Sequence, residues 1–249
     1  MVTRRIVVLG IATMPVIAAT AKALGAGLPP PDTLATSAGD VTLQPLNHAT
    51  LVLVEGAHVL YIDPAKVDFT GQPAPTGILI THEHGDHFDP NNLSKIAGMA
   101  AIVAPQSVAD KIPEALKAQV RVLKNGESGT VDGLPVTAVA AYNTSADKQQ
   151  FHPKGRDNGY VLSFGDKKIY IAGDTENTPE MAALTGIDVA FLPMNQPYTM
   201  TPEQAADAVK AFGPKVVYPY HYKGTDTQMF ADLVGSAAEV RLRDWYAAG

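Results

Sequence analysis

Cysteine is absent from all 249 residues. Disulfide bonds are therefore excluded, and so is the lipid-bearing cysteine that a bacterial lipoprotein requires. Basic residues are also few, because 19 Lys and Arg stand against 25 Asp and Glu, giving a formal net charge of −6. No basic stripe appears, so binding of nucleic acid through phosphate neutralisation is disfavoured. The acidic balance also argues against docking on anionic lipid surfaces.

Residues 1–23 have the features of an export signal peptide. Arg4 and Arg5 precede an uncharged, mostly apolar run at residues 6–21, and Ala21-Lys22-Ala23 offers a small-x-small cleavage pattern. The arginine pair resembles a twin-arginine signal, so we expect a periplasmic or secreted protein without a stable membrane anchor. An uncleaved anchor is disfavoured, because the run is shorter than the roughly 20 residues of a spanning helix and contains Pro15.

Residues 24–40 are rich in Gly, Ala and Pro and lack periodicity, which predicts a flexible linker. Residues 41–249 read as one domain in which strand-like runs alternate with helical ones. Strands are predicted at residues 41–46, 50–55, 58–62, 77–81, 101–104, 134–140, 159–164, 168–172, 216–220 and 239–242. Helices are predicted at residues 89–98, 107–112, 201–212 and 227–234.

The order of these segments repeats: strands, then strand–helix units, then strands and strand–helix units again. This order predicts an α/β protein with two packed sheets and helices outside, a four-layer αββα sandwich. From the segments alone, a doubly wound α/β fold fits nearly as well. The clearest helix starts at Thr201, where Gln204 completes a capping box, and it ends at Gly213-Pro214.

A histidine cluster follows the apolar strand predicted at residues 77–81. The segment reads Thr81-His82-Glu83-His84-Gly85-Asp86-His87 and holds three of the seven histidines of the chain. Imidazoles and carboxylates are good ligands for zinc, manganese or iron. A two-metal site needs more ligands than one loop supplies, so the remainder must come from later strand ends. The alternative, a polar loop that is rich in histidine by chance, is disfavoured.

The pattern His82-x-His84-x-Asp86-His87 resembles the signature of the metallo-β-lactamase superfamily. Four further phrases resemble the branch that holds ascorbate-6-phosphate lactonase and N-acylphosphatidylethanolamine phospholipase D. These phrases are Asn47-His48-Ala49-Thr50, Tyr61-Ile62-Asp63-Pro64, Ala172-Gly173-Asp174-Thr175 and Pro219-Tyr220-His221-Tyr222. Asn47 is a departure, since that branch usually has Gly before the histidine. The resemblance favours the αββα sandwich over the doubly wound fold.

The resemblance also implies a ligand set for two divalent cations, with Zn²⁺ expected first and Mn²⁺ or Fe²⁺ as alternatives. The first metal would be held by His82, His84 and His152. The second would be held by Asp86, His87 and His221, with Asp174 bridging both. Each of three ligands has an alternative role without metal: a surface position for His152, a turn position for Asp174 and a hydrogen-bonded core position for His221.

Two such cations would lower the pKa of a water bound between them, and the resulting hydroxide would attack a carbonyl or phosphoryl centre. Asp86 would orient the hydroxide or carry a proton. The absence of cysteine excludes the β-lactamases that use a cysteine ligand, and Asp174 resembles the arrangement in lactonases, phosphodiesterases and thioesterases. We therefore expect a hydrolase acting on a small-molecule ester, lactone or phosphodiester.

Two other functions compete with hydrolysis. An oxidoreductase on the same scaffold would use redox-active iron. A non-catalytic binding module is disfavoured, because all seven ligand positions are filled.

Several residues near the expected site lie outside the ligand set. A hydrogen-bonded structural role is predicted for His48 rather than metal binding, and support of the metal ligands is an open alternative for both His48 and Asp63. His58 is predicted to lie on the surface beside a hairpin turn. Asn195, Tyr198 and Tyr220 lie next to predicted ligand-bearing strand ends and are candidate substrate contacts.

Overall fold

The computed structural model describes residues 28–246, and in this part of the chain two β-sheets follow one another along the sequence. The first sheet contains β1 (Asp32–Thr36), β2 (Gly39–Asn47), β3 (Thr50–Glu55), β4 (His58–Ile62), β5 (Gly77–Leu79), β6 (Ala101–Ala104) and β7 (Val120–Val122). The second contains β8 (Ser128–Val131), β9 (Leu134–Ala141), β10 (Asp157–Phe164), β11 (Lys167–Ile171), β12 (Val189–Pro193), β13 (Val216–Tyr220) and β14 (Glu239–Val240). The helices are α1 (Pro90–Ile96), α2 (Gln106–Ala109), α3 (Pro179–Ala182), α4 (Pro202–Phe212) and α5 (Thr227–Val234), with 3₁₀ turns at Glu114–Gln119 and Gly235–Ala237.

The two sheets share one design. In each, the first four strands form antiparallel pairs and the last four, counting the shared fourth strand, run parallel. Parallel neighbours need crossover connections, and the helices supply most of them. The carboxyl ends of the parallel strands therefore meet at one edge of each sheet, which is where α/β proteins place their sites.

Three apolar clusters define four layers. The central cluster lies between the sheets and includes Leu43 and Leu60 of the first sheet and Phe191 and Tyr218 of the second. Helices α1 and α2 cover the outer face of the first sheet, and α3, α4 and α5 cover the outer face of the second. This arrangement confirms the predicted αββα sandwich and rules out the doubly wound alternative.

Helix α4 forms as its sequence predicts. Thr201 accepts a hydrogen bond from the Gln204 backbone, and the Gln204 side chain accepts one from the Thr201 backbone, which completes the capping box. Gly213 ends the helix in the left-handed conformation, with φ of 60°. Val209 and Phe212 are buried against the second sheet.

The predicted linker at residues 24–40 is wrong where the structure describes it. Strand β1 pairs with β2 in antiparallel register, and Leu34, opposite Val41, packs against the central core. Ladder hydrogen bonds and this contact order a segment whose composition alone favours disorder. The predicted export signal at residues 1–23 and the first residues of the linker lie outside the described residues. None of the helices between residues 28 and 246 has the length and apolar character needed to span a membrane.

Candidate metal centre

The histidine loop lies at the carboxyl end of β5, as the sequence predicts. His82 and His87 are fully buried, and the turn closes through hydrogen bonds from the backbone N–H groups of His87 and Phe88 to the carbonyl of His84. Asp89 then caps α1 by accepting hydrogen bonds from two backbone N–H groups. The loop is therefore a tight connection between a buried strand and a helix, and its side chains are held in place.

The second sheet supplies the remaining predicted ligands from its own strand ends. Asp174 follows β11, His221 follows β13, and His152 lies in the loop between β9 and β10. Gly173 turns the chain into the site with φ of 65°, and a Cβ there would lie 2.8 Å from the carbonyl oxygen of Asn158. A side chain at position 173 would thus collide with backbone, so the close approach of Asp174 needs glycine.

The Asp174 carboxylate lies at the centre of the cluster. Its Oδ2 atom is 3.3 Å from His152 Nε2, 3.4 Å from His221 Nε2 and 3.9 Å from His82 Nε2. Its Oδ1 atom is 3.3 Å from His87 Nε2. One carboxylate therefore approaches histidines of both predicted ligand groups.

The two predicted groups are brought together as two sets of neighbouring atoms. One ligand atom from each of His82, His84 and His152 lies within 4.8 Å of the others. A second set, within the same limit, consists of His48, Asp86, His87 and His221. The structure therefore assembles all seven residues of the predicted ligand set, and it adds His48 beside the second group.

Unsatisfied polar atoms show that this cluster fits a cation. Among residues 28–246, the buried Nε2 atoms of His82 and His87 and the buried Oδ1 atom of Asp174 have no hydrogen-bond partner. Buried polar groups without partners are rare and costly, and here three of them converge on one place. Coordination to divalent cations would satisfy them, and nitrogen and oxygen donors suit zinc, manganese or iron.

Carboxylates hydrogen-bond to the ring nitrogens of His87 and His152 that point away from the cluster. Asp63 Oδ2 lies 2.8 Å from His87 Nδ1, and Asp157 Oδ2 lies 3.2 Å from His152 Nδ1. A carboxylate only accepts, so each Nδ1 carries a proton, and Nε2 is the ring atom that faces the cluster and would bind a cation. Asp63 takes the supporting position that the sequence left open, whereas Asp157 was not predicted.

His82 is set by a longer chain of the same kind. Thr81 Oγ1 donates its proton to Asp63 Oδ2 at 2.7 Å. The same oxygen lies 3.0 Å from His82 Nδ1 and must therefore accept from it. His82 Nε2 is consequently unprotonated, and the single carboxylate of Asp63 orients ligands of both groups.

Charge and burial oppose each other within the cluster. Burial, followed by the neighbouring His87, holds the pKa of His82 well below its ordinary value, so this imidazole is neutral. Burial disfavours ionisation of Asp174, but the charges of His221 and His87 outweigh it and hold the Asp174 pKa well below the usual range. Burial likewise opposes the charged form of His87, but Asp174 and Asp63 raise the pKa of His87 well above normal. The carboxylates thus create a negative centre that attracts cations.

Left-handed backbone is concentrated at this centre. His48, Asp63 and His221 have φ values of 55°, 45° and 46°, and Asp132 is the one other non-glycine residue with positive φ in residues 28–246. Such conformations cost of order 1 kcal/mol or more each and persist where the surrounding structure enforces them. Here the backbone N–H of His221 donates to the carbonyl of His48, which joins two of these positions.

His48 takes the hydrogen-bonded position that the sequence predicts. Its Nε2 atom lies 3.0 Å from Asp86 Oδ2, and its Nδ1 atom lies 2.8 Å from the hydroxyl oxygen of Tyr246. That oxygen accepts from the backbone N–H of Lys223, so the Tyr246 proton is available to His48 Nδ1. His48 is then a donor to Asp86 rather than a free ligand. This chain, together with His221 at 3.3 Å, orients the Asp86 carboxylate.

The loop that carries His152 is anchored by Glu176. This buried carboxylate accepts hydrogen bonds from the backbone N–H groups of Thr144 and Ser145, and Lys148 Nζ lies 3.1 Å away. Burial opposes ionisation of Glu176, but hydrogen bonds outweigh it and lower the pKa of Glu176 to about 2. The largest of these contributions come from Ser145. Glu176 was not predicted from the sequence. Its position two residues after Asp174 could have marked it as a residue close to the site.

The other sequence candidates lie in varied places. His58 begins β4, remote from the ligands, and pairs with Asp132 on the partly exposed surface. Tyr220 is fully buried, and its hydroxyl oxygen accepts from the backbone N–H of Gly173, so it supports the Asp174 turn and the suggested substrate contact is wrong. Tyr198 is exposed and packs on Phe151, next to His152. Asn195 accepts the backbone hydrogen bond of Tyr198.

Known proteins resemble this chain in sequence and in fold. A family model described as a β-lactamase superfamily domain matches residues 42–221, which include all seven predicted ligands. The chain belongs to the metallo-β-lactamase superfamily. A UPF0173 metal-dependent hydrolase of Pyrococcus abyssi is 35% identical over 215 residues, covering 78% of this chain and 92% of the relative. A similar relative in Thermococcus onnurineus is 36% identical over 214 residues, with the same coverage.

Solved structures agree with this assignment. A protein of Parabacteroides distasonis described as a metal-dependent hydrolase is 40% identical, with a TM-score of 0.80, and the match covers 86% of this superfamily member and 98% of that chain. Igni18, a metallo hydrolase from Ignicoccus hospitalis, is 26% identical with a TM-score of 0.67. The match covers 81% of this chain and 94% of Igni18. The predictions of the superfamily and of a metal-dependent hydrolase are confirmed at this level. The finer resemblance to the lactonase and phospholipase branch stays a prediction.

Proposed function

We propose that this superfamily member is a hydrolase that holds two divalent cations and cleaves an ester, lactone or phosphodiester bond of a small molecule. The observation that carries the proposal is the position of Asp174, whose two oxygens approach histidines of both ligand groups. One metal with four ligands would leave part of this set of seven without a role. Zn²⁺ is the first expectation, and Mn²⁺ or Fe²⁺ are alternatives.

The two groups of ligands divide the binding of the cations. His82, His84 and His152 would hold the first, Asp86, His87 and His221 the second, and Asp174 would touch both. When bound, two divalent cations supply a hydroxide nucleophile near neutral pH and stabilise negative charge that develops on the substrate. The support from Asp63 and Asp157 keeps the imidazoles oriented, so little reorganisation is needed on binding.

Asp86 and Asp174 have different exposure and therefore different roles. The Asp174 side chain is 3% exposed, whereas that of Asp86 is 49% exposed. An enclosed carboxylate is suited to fixing the spacing of two cations. Asp86 faces solvent at the mouth of the site, where it can contact both a cation and an incoming substrate. We therefore assign to Asp86 the orientation of the nucleophile or the transfer of a proton to the leaving group.

The proposal is tested with protein stripped of metal and then loaded separately with Zn²⁺, Mn²⁺ or Fe²⁺. Each form is assayed against lactone, phosphodiester, thioester and β-lactam substrates. We expect metal-dependent hydrolysis within the first three classes, and loss of that hydrolysis in Asp174→Asn. Absence of hydrolysis with every metal, together with oxygen consumption by the iron form, would instead favour the oxidoreductase alternative.

A further inference from the structure

A cleft of about 710 Å³ opens beside the second ligand group. We call it the Asp86 cleft, and the residues that matter here are Asn47, His48, Lys66, Asp86, Lys223 and Tyr246. Lys66 follows β4 of the first sheet and Lys223 follows β13 of the second, so the two sheets each contribute one lysine to its wall. Asp86 lines the same cleft, so a molecule bound there next to the second ligand group shares the cleft with both lysines.

The charges that line the Asp86 cleft differ in sign from those of the whole chain. The chain carries a net charge of −6, yet the cleft is lined by two lysines and a single carboxylate, Asp86. The cations proposed above, together with the hydrogen bond from His48, offset the Asp86 charge. The cleft is therefore locally positive within an acidic protein.

The side-chain ammonium groups of both cleft lysines lack a carboxylate partner in the part of the chain that the structure describes. Lys66 and Lys223 are exposed and form no ion pair with any residue between 28 and 246. By contrast, Lys111, Lys148 and Lys154 each pair with a glutamate. The two ammonium groups of the cleft are thus available to an anion from outside the chain.

Asn47 adds a neutral hydrogen-bonding group to the same wall. It is partly buried at the end of β2, where the register of the β2–β3 pair shifts. Its side-chain amide makes no hydrogen bond to another residue of the described part of the chain. The backbone conformation here does not require glycine, because the left-handed residue is the neighbouring His48. The Asn47 amide can therefore donate to an oxygen of a bound molecule.

We propose that the substrate carries an anionic group, a carboxylate or a phosphate monoester, that is separate from the bond cleaved and binds between Lys66 and Lys223 with the Asn47 amide. This inference rests on the proposed hydrolase function and specifies its substrate class. Exposed charge pairs contribute up to about 1 kcal/mol each, which corresponds to about fivefold per lysine and about thirtyfold for both. The effect weakens as salt is raised, because exposed charges are screened.

The test compares 4-nitrophenyl esters with one acyl chain that ends in a methyl, a carboxylate, a phosphate or a trimethylammonium group. All four have the same leaving group, so only the remote end differs. We expect kcat/KM to be highest for the carboxylate or the phosphate ester, and the better of these two identifies the anion. In Lys66→Met/Lys223→Met, the preference for the anionic over the methyl ester should fall by up to about thirtyfold, mainly through KM.

Asn47→Gly provides a smaller test of the same wall, and Lys210→Met provides a matched control. Lys210 is an exposed lysine of α4, on the outer face of the second sheet, and its loss should leave every ratio as in the unmodified chain. Equal kcat/KM for all four esters, or a preference that survives removal of both lysines, would overturn the inference. Selective hydrolysis of the trimethylammonium ester would overturn it as well.

A binding measurement separates this inference from the proposed function. Calorimetric titration of the zinc-loaded protein with glutarate or with inorganic phosphate needs no turnover. If neither these esters nor the lactone, phosphodiester and thioester substrates named above are hydrolysed, the hydrolase proposal fails. Binding of glutarate or phosphate that is weakened in the lysine variant but not in Lys210→Met still supports an anion site in that case. Identical binding to both variants would refute that site whether or not hydrolysis is seen.

Discussion

Replacement of Asp63 by Asn tests how the protein prepares its histidines. The Asp63 carboxylate accepts hydrogen bonds from the backbone N–H and the hydroxyl of Thr81, both at 2.7 Å, and from His87 Nδ1 at 2.8 Å. In Asp63→Asn the amide oxygen can keep the Thr81 backbone bond, which turns the amide NH₂ toward His87. If the amide were flipped instead, its NH₂ group would face the backbone N–H of Thr81, and two donors cannot hydrogen-bond to each other. His87 Nδ1 must then accept, so its proton moves to Nε2.

The consequence is a loss of metal affinity at the second ligand group. A protonated Nε2 has no lone pair for a cation, and in the structure this atom faces Asp174 at 3.3 Å. Loss of a carboxylate that supports a metal-bound histidine typically lowers affinity 10- to 100-fold, or about 1.4 to 2.8 kcal/mol. Because Asp63 also fixes His82 through Thr81, we expect the upper part of that range.

The assay is competition for Zn²⁺ between the metal-free protein and a coloured chelator, combined with NMR of the imidazole nitrogens to identify the tautomer of His87. Asp132→Asn is a matched control. Asp132 also contacts a histidine Nδ1 at 2.8 Å, through His58, and also has left-handed backbone, with φ of 49° against 45° for Asp63. Asn tolerates this conformation well, so backbone effects cancel. Equal affinity for Zn²⁺ in both variants would refute the reasoning.

Three further changes have definite expected outcomes. Asp174→Asn should empty the second metal position first and lower hydrolysis on the order of a hundredfold or more, whereas full metal content with unchanged kinetics would contradict the bridging role. His152→Ala should lose the first metal while His58→Ala keeps both, and elemental analysis showing equal losses would mean that the loop histidines are wrongly assigned. Since the pKa of Glu176 is lowered from 4.5 to about 2, its contribution to stability is present above pH 4.5 and disappears as the pH falls toward 2. Chemical denaturation across that window should show a smaller acid-induced loss in Glu176→Gln, and parallel losses in both proteins would refute the anchoring role.

Most of the candidate ligands follow strand ends in motifs that resemble a known superfamily, whereas His152, in a loop, was assigned from that resemblance alone. His82, His84, Asp86 and His87 share one loop, and the capping box at Thr201 makes α4 equally clear. These signals are local in sequence. A local sequence pattern predicts the structure correctly where tertiary packing and strand pairing favour the same conformation as the pattern does.

The parts that were missed depend on contacts between distant segments. Strand β1 has weak strand propensity and is held by pairing with β2 and by an ion pair between Asp32 and Arg243, at 2.7 Å. Asp157 begins β10 and Glu176 lies in the loop after β11, and no motif marks either carboxylate. Only the fold shows that Asp157 supports His152 and that Glu176 anchors the loop of His152. Strand β12 also escaped prediction, since a short apolar run does not distinguish a strand from a buried helix.

Metal stoichiometry tests the central claim most directly. Protein purified without chelator, loaded with excess Zn²⁺ and freed of unbound metal should contain two metal ions per chain by elemental analysis. The reason is that seven nitrogen and oxygen ligands in two groups, joined at Asp174, exceed what one tetrahedral zinc can use. A value of one or none after loading, in protein that remains folded, would contradict the two-metal account.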